Sequence, residues 1–260
     1  MIGERMERQI VELNHPTFES LGVRAYSMPV HTFELREVPL ANADEVATFA
    51  TQKRNDEHMS GRWLLGHALK SWGIEDLSVL HILRNQERAP RVAYLQGMWL
   101  NLPLPSISIS HSGGHVFVAL ADSSMDVGID AEPGSRSLAA NAFDMMSTGD
   151  ELEQLRQQPN ASMFLWTAKE AVQKAMRKGM HLNPRKIKVS IGQNNQNISI
   201  ENSKIQLVSW TESDFQLSLA IRLKPEHLVT AEDRLLEATR SAMESDPDWG
   251  VGCKTNRGNV

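Results

Sequence analysis

Three strand-like segments between residues 106 and 132 constrain the fold of this chain more than any other feature. In the first segment, Ile107 and Ile109 alternate with serines, as in a strand with two unlike faces. Val116 to Ala121 is an uninterrupted apolar run that predicts a buried strand. Residues 127–132 alternate again after a polar connection at 122–126. We therefore expect β-structure on both sides of that connection.

A helical segment precedes strand-like segments in each part of the chain. Apolar residues recur at helical spacing over residues 43–72, with Gly73 as a candidate cap, and again over residues 163–178. The charged residues between Lys53 and His58 fit either a helix or a break between two helices. The strand-like segments that follow the two helices are 78–95 and 106–121 in the first part, and 187–191, 198–200, 205–210 and 215–223 in the second.

The connection at 122–126 sets the expected domain boundaries. A first half is expected over residues 1–122, a second half over 123–228, and a C-terminal helix with a loose tail over 229–260. No repeat of fixed period relates the two halves, so any symmetry between them is expected in structure alone.

Two further segments give local predictions. Prolines interrupt residues 1–40, so only one or two short strands are expected there, between Tyr26 and Val38. Residues 138–158 are expected to form a helix that breaks near residue 148, where the Thr148 to Glu151 spacing fits a capping box.

Composition restricts the function classes. The 260 residues carry a formal net charge of −5, so binding of nucleic acid through bulk positive charge is not expected. The single cysteine, Cys253, permits neither an internal disulfide nor a cysteine zinc site, which favours a reducing compartment. Neither a signal-peptide core nor an apolar run of the about 20 residues that span a membrane is found. A soluble, cytoplasmic protein without a membrane partner is expected.

Asp130 and Glu132 are a candidate metal site. On a strand they point to one face, while Ile129 and Ala131 point to the other, toward the core. Two adjacent carboxylates repel each other, and Mg²⁺ is commonly held by one or two carboxylates together with substrate phosphates. A solvated strand edge carries the same pattern and stays an alternative.

A third carboxylate lies on the helix predicted over residues 163–178. The apolar stripe that begins at Leu165 marks the buried side of this helix. Trp166, Glu170 and Lys174 are four residues apart and share another face. That face presents either a carboxylate beside a phosphate-binding ammonium group or an ordinary exposed Glu–Lys pair.

The segment from Ser110 to Gly114 combines hydroxyls, an imidazole and two glycines at a strand end. Glycines let backbone N–H groups approach an anion. A serine hydrolase with Ser110 or Ser112 as nucleophile is an alternative. However, adjacent Ser and His on a strand point to opposite faces, and the Gly-x-Ser-x-Gly motif is missing.

Residues 166–188 concentrate positive charge. They contain seven basic residues and one acidic residue, a net charge of +6 within a chain of net charge −5. Such a surface suits a polyanionic ligand or an acidic protein partner, although most charge runs are solvated faces.

Together these segments resemble the 4′-phosphopantetheinyl transferase superfamily, and within it the long single-chain class that activates surfactin-type and enterobactin-type synthetases. The similarity spans roughly residues 45–190, and its specific part is the acidic strand paired with the Lys-Glu helix. The segments that carry it are Lys53-Arg54-x-x-Glu57-x-x-x-Gly61-Arg62, Arg88-Ala89-Pro90, Ile109-Ser110-His111-Ser112, Val127-Gly128-Ile129-Asp130-Ala131-Glu132, Phe164-x-Trp166-x-x-Lys169-Glu170-Ala171-x-x-Lys174 and Gly179-Met180-x-Leu182-x-Pro184.

The resemblance implies an α+β fold of two similar halves that form a pseudo-dimer, each a small antiparallel sheet packed with a long helix, with coenzyme A in the crevice between them. It implies a holo-[acyl-carrier-protein] synthase type of activity. The phosphopantetheine arm of coenzyme A would move onto a serine of an apo acyl or peptidyl carrier protein, releasing adenosine 3′,5′-bisphosphate. A monomer and a role in siderophore or antibiotic biosynthesis are also implied. The alternative is a non-catalytic relative that binds coenzyme A or a carrier protein.

Residue roles follow from the same resemblance. Mg²⁺, or Mn²⁺ in its place, would be held by Asp130, Glu132 and Glu170. Glu170 would be the general base toward the carrier serine, with Lys174 and Asp130 as the other catalytic residues. The basic run at 166–188 would receive the acidic helix of the carrier. The residues expected to bind coenzyme A are Arg54, Arg88, Ser108, Ser110, His111, Asp130, Glu170 and Lys174, with Arg62 and Lys169 as further contacts.

Overall fold

The computed structural model describes residues 9–98 and 103–224, which form three antiparallel sheets and six α-helices. The strands are β1 (Val11–Leu13), β2 (Arg24–Pro29), β3 (Leu80–Arg84), β4 (Pro90–Tyr94), β5 (Ser106–Ser112), β6 (His115–Ala121), β7 (Met125–Pro133), β8 (Asn195–Ile200), β9 (Ser203–Glu212) and β10 (Phe215–Leu223). The helices are α1 (Phe18–Leu21), α2 (Ala43–Ala47), α3 (Gln52–Trp72), α4 (Phe143–Met146), α5 (Asp150–Gln157) and α6 (Ser162–Ala175).

The two four-stranded sheets share the connectivity of three of their strands and differ in the fourth, which is β1 beside β2 in one sheet and β8 beside β9 in the other. In the first sheet, ordered β1-β2-β6-β5, strand β2 leads to the long helix α3 and the chain returns as the β5–β6 hairpin, whose second strand pairs with β2. In the second sheet, ordered β7-β10-β9-β8, strand β7 leads to α6 and the chain returns as the β9–β10 hairpin, whose second strand pairs with β7. The mixture of helices and antiparallel sheets confirms the predicted α+β class.

Helix α3 fits the first sequence prediction in part. The Thr51 side chain caps its N-terminus by accepting a hydrogen bond from the Arg54 N–H, and Gly73 ends it in the left-handed region at φ 107°. The charged residues from Lys53 to His58 are therefore helical. The predicted helix over 43–72 is nevertheless divided, because the short helix α2 ends before Thr51.

Helix α6 crosses β7 at a close approach. Its buried stripe, with Leu165, Ala168 and Val172 fully inaccessible, is the predicted one. At the crossing, a Cβ placed on Gly128 would lie 2.0 Å from the carbonyl oxygen of Ala171. Residue 128 must therefore lack a side chain if α6 is to hold its functional residues beside β7.

A row of alternating serines on β5 joins the two four-stranded sheets at β7. The first two hydroxyls accept hydrogen bonds from backbone N–H groups of β7, and the last two donate to its carboxylates. These serines are buried or half-buried because β7 supplies their partners. The pairs are Ser106 with the Val127 N–H, Ser108 with the Ile129 N–H, Ser110 with Asp130 and Ser112 with Glu132.

Several local predictions are wrong. The segment 187–191 forms no strand, because Ile187 and Val189 pack into the second core and the Val189 N–H donates to the Glu151 carboxylate at 2.9 Å. The expected capping box is not formed, since Gly149 occupies the N-cap of α5 without a side-chain hydrogen bond. Of the one or two short strands expected between Tyr26 and Val38, one is present as β2, which ends at Pro29, and a 3₁₀ turn stands where the second was possible.

The described ranges also bound what the structure says of the remaining predictions. The helix expected within 229–260, its tail and Cys253 lie outside the described residues. Within residues 9–98 and 103–224, every helix is too short or too polar to cross a membrane.

Candidate functional site

A cleft of about 250 Å³ opens between the first half of α3, the β3–β4 turn, β5 and the end of α6. Among the described residues, six basic side chains line it against two acidic ones, so it suits a polyanionic ligand. The basic residues are Arg54, Arg62, Arg84, Arg88, Lys174 and Arg177, and the acidic ones are Glu57 and Glu87.

Most of the residues predicted to bind coenzyme A meet at this cleft. Its lining includes Arg54, Arg88, Ser108, His111 and Lys174, and also Arg62. The remaining three, Ser110, Asp130 and Glu170, lie beside the lining rather than in it. Lys174 connects the two groups, because it lines the cleft while its Nζ donates to Asp130 Oδ1 at 2.7 Å.

Arg54, His111 and Glu57 form one wall of the cleft. Arg54 Nη1 donates to His111 Nε2 at 2.6 Å, and Glu57 Oε2 lies 3.5 Å from His111 Nδ1. Burial lowers the pKa of His111, and the charges of Arg54 and Lys174 act in the same direction against the opposing charge of Glu57. A neutral imidazole that accepts from Arg54 at Nε2 and carries its proton on Nδ1 fits this arrangement.

A buried layer of charged residues backs this wall. The Arg62 side chain is 3% exposed; its Nη2 lies 3.6 Å from Glu45, and its Nη1 has no hydrogen-bond partner among the residues that the structure describes. Glu45 also accepts from Arg84 at 2.5 Å. Helical spacing from Arg54 places His58 on the same face, so the sequence held a signal for His58. No comparable signal marked Arg84, which reaches the cleft from β3.

The folded protein should lose stability in acid because of His58. Burial, together with the charge of Arg62, lowers the pKa of His58 from 6.5 to about 4. Between pH 6.5 and pH 4, His58 is therefore protonated in the unfolded chain but stays neutral in the native protein. The free energy of unfolding falls as the pH falls through this range. The expected loss is up to about 3 kcal/mol.

Urea unfolding at several pH values between 4 and 7 measures this effect against a His58→Gln variant. Most titrating groups are shared by the two proteins, so the difference between their pH profiles reports His58 together with its effect on the pKa of Glu45, which the charge of His58 lowers. Parallel profiles would contradict the assignment.

Asp130 and Glu132 lie on the β7 face predicted from their spacing, and each is held by its own donors. Asp130 is 3% exposed, and its Oδ1 accepts hydrogen bonds from Ser110 Oγ and Lys174 Nζ, both at 2.7 Å. Glu132 accepts from Ser112 Oγ and from Arg136 Nη1, the latter at 2.7 Å. Among the described residues, no donor reaches the buried Oδ2 atom of Asp130 while Glu170 is ionised.

Glu170 lies on α6, and the charges of Asp130 and Glu132 both act on its carboxyl group. Burial, then the charge of Asp130 and to a smaller extent that of Glu132, raises the pKa of Glu170 to about 7, against the opposing charge of Lys174. The predicted metal trio is therefore one electrostatic cluster. It is not a ready ligand set, because no group of three or more His, Cys, Asp or Glu side chains in the described ranges is arranged to hold an ion.

The chemistry of this acidic cluster nevertheless fits a divalent cation. A buried carboxylate oxygen without a donor on Asp130, and a Glu170 whose ionisation its neighbours oppose, are both relieved by an added positive charge. All the candidate ligands are carboxylate oxygens, which suit Mg²⁺ or Mn²⁺.

The comparison with known proteins falls on the part of the chain that carries this acidic cluster. Residues 126–230 match the model of the 4′-phosphopantetheinyl transferase superfamily. The matched segment includes Asp130, Glu132, Glu170 and Lys174, whereas the cleft residues contributed by α3 and β5 precede it. The match supports phosphopantetheinyl transfer in general. No curated protein matches the chain significantly.

The basic run inside the matched transferase segment is not one surface, contrary to the sequence prediction. Lys169 is 1% exposed, and its Nζ donates to Glu151 at 2.7 Å and to the carbonyls of Pro184 and Ile187. It anchors the 184–189 segment and cannot contact a ligand there. Lys174 faces Asp130, and Arg177 faces a buried carboxylate on β7. The exposed cations of the run are Arg185, Lys186 and Lys188, and Lys188 Nζ donates to Thr148.

Proposed function

We propose that this protein is a 4′-phosphopantetheinyl transferase of the long single-chain class. It would transfer the phosphopantetheine arm of coenzyme A to a serine of an apo acyl or peptidyl carrier protein. One observation carries the proposal: the cation-lined cleft meets the acidic cluster of the matched segment at Lys174, which belongs to both. Coenzyme A would use both environments: its 3′-phosphate suits the cations of the cleft, and its diphosphate suits a divalent ion held by the acidic cluster.

Different residues of the cleft would bind the nucleotide end and the diphosphate of coenzyme A. Arg54, Arg88 and His111 would bind the nucleotide end of coenzyme A, mainly its 3′-phosphate. Lys174 would meet the diphosphate as a point charge. Ser108 and Ser110 would contact the nucleotide end as well as align β7. Ser108 lines the cleft, and its hydroxyl accepts from the Ile129 N–H while its own proton stays available to a phosphate, whereas the Ser110 hydroxyl donates to Asp130.

The acidic cluster would carry the chemistry. Asp130, Glu132 and Glu170 would hold Mg²⁺ or Mn²⁺, which when bound neutralises charge on the diphosphate and on the leaving group. Glu170 would accept the hydroxyl proton of the carrier serine. The serine oxygen forms a bond to the β-phosphorus, and the bond from that phosphorus to the bridging oxygen breaks. Adenosine 3′,5′-bisphosphate leaves with the bridging oxygen.

The wider setting is proposed from the same resemblance. The shared connectivity of the two sheets supports a pseudo-dimer with coenzyme A between the halves. A monomer that acts in siderophore or antibiotic biosynthesis is proposed with it. A cytoplasmic location is proposed because a single cysteine suits a reducing compartment.

The test of the function uses intact mass. The protein is incubated with coenzyme A, Mg²⁺ and a panel of apo acyl and peptidyl carrier domains, and each carrier is expected to gain the mass of one phosphopantetheine arm. A carrier whose acceptor serine is alanine, and a reaction with a chelator, are the controls. Unmodified carriers throughout the panel would refute the proposal.

A non-catalytic protein that binds coenzyme A is a second candidate, because the acidic side chains are not preassembled as a ligand set. Saturable coenzyme A binding in calorimetry, without mass gain on any carrier, would favour it. The serine hydrolase alternative loses support, since Ser110 and Ser112 donate to carboxylates rather than to a histidine.

A further inference from the structure

The backbone of Arg177 has an unfavourable conformation, whose cost the contacts of its side chain must offset. It follows α6 in the left-handed region at φ 57°, which an L-residue with a Cβ adopts at a cost and glycine adopts freely. An arginine at this position is explained if its side chain and carbonyl make contacts that glycine cannot supply in full.

These contacts reach across to the β3–β4 turn. Arg177 Nη2 donates to the Pro90 carbonyl at 3.2 Å and lies 3.5 Å from the Ala89 carbonyl. The Arg177 carbonyl accepts a hydrogen bond from Asn85 Nδ2 at 3.1 Å. Arg177 therefore holds both ends of the turn that carries Arg88 into the cleft.

The other side of the Arg177 guanidinium faces the second sheet. Its Nη1 lies 3.9 Å from Oδ1 of Asp126, which is 3% exposed and whose second oxygen accepts from Arg222 on β10. The guanidinium is thus placed between a buried carboxylate of β7 and the carbonyls of the turn, so it ties the turn to the same strand that carries Asp130.

Hydrogen bonds inside the turn fix its shape but not its place. The Asn85 N–H donates to the Ala89 carbonyl, the Arg88 N–H donates to the Asn85 carbonyl, and Arg84 Nη1 donates to the Arg88 carbonyl. All these bonds move with the turn as one body. The base of the turn is held on the first sheet, by the Arg84–Glu45 ion pair and by β4 beside β5, and Arg177 adds the bonds that tie the turn itself to the end of α6.

We propose that Arg177 is a positioning residue that holds Arg88 at a fixed distance from Lys174, so that the cleft selects a ligand with a phosphate at each end. The proposal rests on the proposed function in taking that ligand to be coenzyme A. Arg177 also lines the cleft, but its guanidinium is directed to the carbonyls of the turn and to Asp126, so in this scheme it touches no reacting atom and acts through Arg88. The substrate property it controls is preference for coenzyme A over 3′-dephospho-coenzyme A, which lacks the phosphate assigned to Arg88.

Two substitutions separate positioning from stability. Arg177→Met removes the guanidinium and keeps the strained backbone, whereas Arg177→Gly removes the guanidinium and relieves the strain. Both are expected to weaken coenzyme A binding about tenfold in calorimetry, because charged donors to the turn are lost. Both should leave binding of 3′-dephospho-coenzyme A nearly unchanged, and only Arg177→Met should melt clearly below the wild type. Arg177→Lys should recover part of the preference, and Lys204→Met on β9 is the control.

A double-mutant cycle tests whether Arg177 acts through Arg88. In an Arg88→Gln background, Arg177→Met should weaken coenzyme A binding by less than about twofold. A tenfold loss in both backgrounds, or equal losses for the two nucleotides, would overturn the positioning role.

Amide hydrogen exchange without ligand keeps this test separate from the proposed function. The amides of residues 85–89 should exchange faster in Arg177→Met than in the wild type. If the wild type binds no coenzyme A, the proposed function fails, while the exchange result still decides whether Arg177 holds the turn. If coenzyme A binds but exchange and preference are unaffected, the positioning role alone fails.

Discussion

Under the proposed function, phosphopantetheinyl transfer should fall by about three orders of magnitude when Glu170 is replaced by glutamine, since the proposed general base and ion ligand are removed together. The amide cannot accept the serine proton and is a poorer ligand than a carboxylate. Initial rates on an apo carrier, followed by intact mass at saturating coenzyme A, measure the effect.

Stability distinguishes this loss from misfolding. Because burial and neighbouring charges raise the pKa of Glu170 from 4.5 to about 7, the ionised carboxylate destabilises the ion-free native state. Stability from this group is therefore lost as the pH rises through that range. Without added metal at pH 8, Glu170→Gln should be at least as stable as the wild type.

A matched control is Glu153→Gln on α5, whose side chain is 69% exposed. Its rate and melting temperature should both equal those of the wild type. Transfer by Glu170→Gln within tenfold of the wild-type rate would show that the acidic cluster has been assigned the wrong chemistry.

Gly128→Ala should destabilise the protein by more than about 4 kcal/mol or prevent its folding. The added Cβ would lie 2.0 Å from the Ala171 carbonyl oxygen and 2.6 Å from the Ala175 backbone nitrogen. Both atoms belong to the helix backbone, so no side chain can move aside and α6 must shift from β7. Urea unfolding of the purified variant, or its failure to accumulate as soluble protein, is the measurement.

Gly61→Ala in α3 is the matched control for Gly128. Its Cβ would lie 3.2 Å from a side-chain methyl of Ile109, which can yield, and alanine favours the helix. A change within about 1 kcal/mol in either direction is expected. A Gly128→Ala protein of near wild-type stability would mean that α6 and β7 are not packed as described.

The sequence predicted best where one pattern decides one element. The apolar stripe of α6 and the shared face of Asp130 and Glu132 follow from helix and strand geometry alone, and the structure has both. The Gly73 stop of α3 is of the same kind.

Predictions were wrong where a distant partner decides. Lys169 was predicted to be a further ligand contact, but its ammonium group is buried and donates to Glu151 and to two carbonyls of the 184–187 segment. Ser108 and Ser110 were predicted as ligand contacts, and the sequence did not show that their hydroxyls also hydrogen-bond to a strand of the other sheet. The segment 187–191 has the apolar pattern of a strand, but it forms none, and its apolar side chains pack into the core around α6. No local spacing encodes these partners.

The serine row on β5 links the two four-stranded sheets by hydrogen bonds. Strand β7 belongs by its pairing to the second sheet, yet hydroxyls from the first sheet orient its carboxylates. A break in the peptide chain at residues 122–124, before β7 begins, would cut none of these bonds, so alignment of the acids depends on the contact between the two sheets rather than on the covalent connection. That short connection can therefore change in length or sequence, whereas each serine facing β7 and the buried Asp126 stay constrained by their partners.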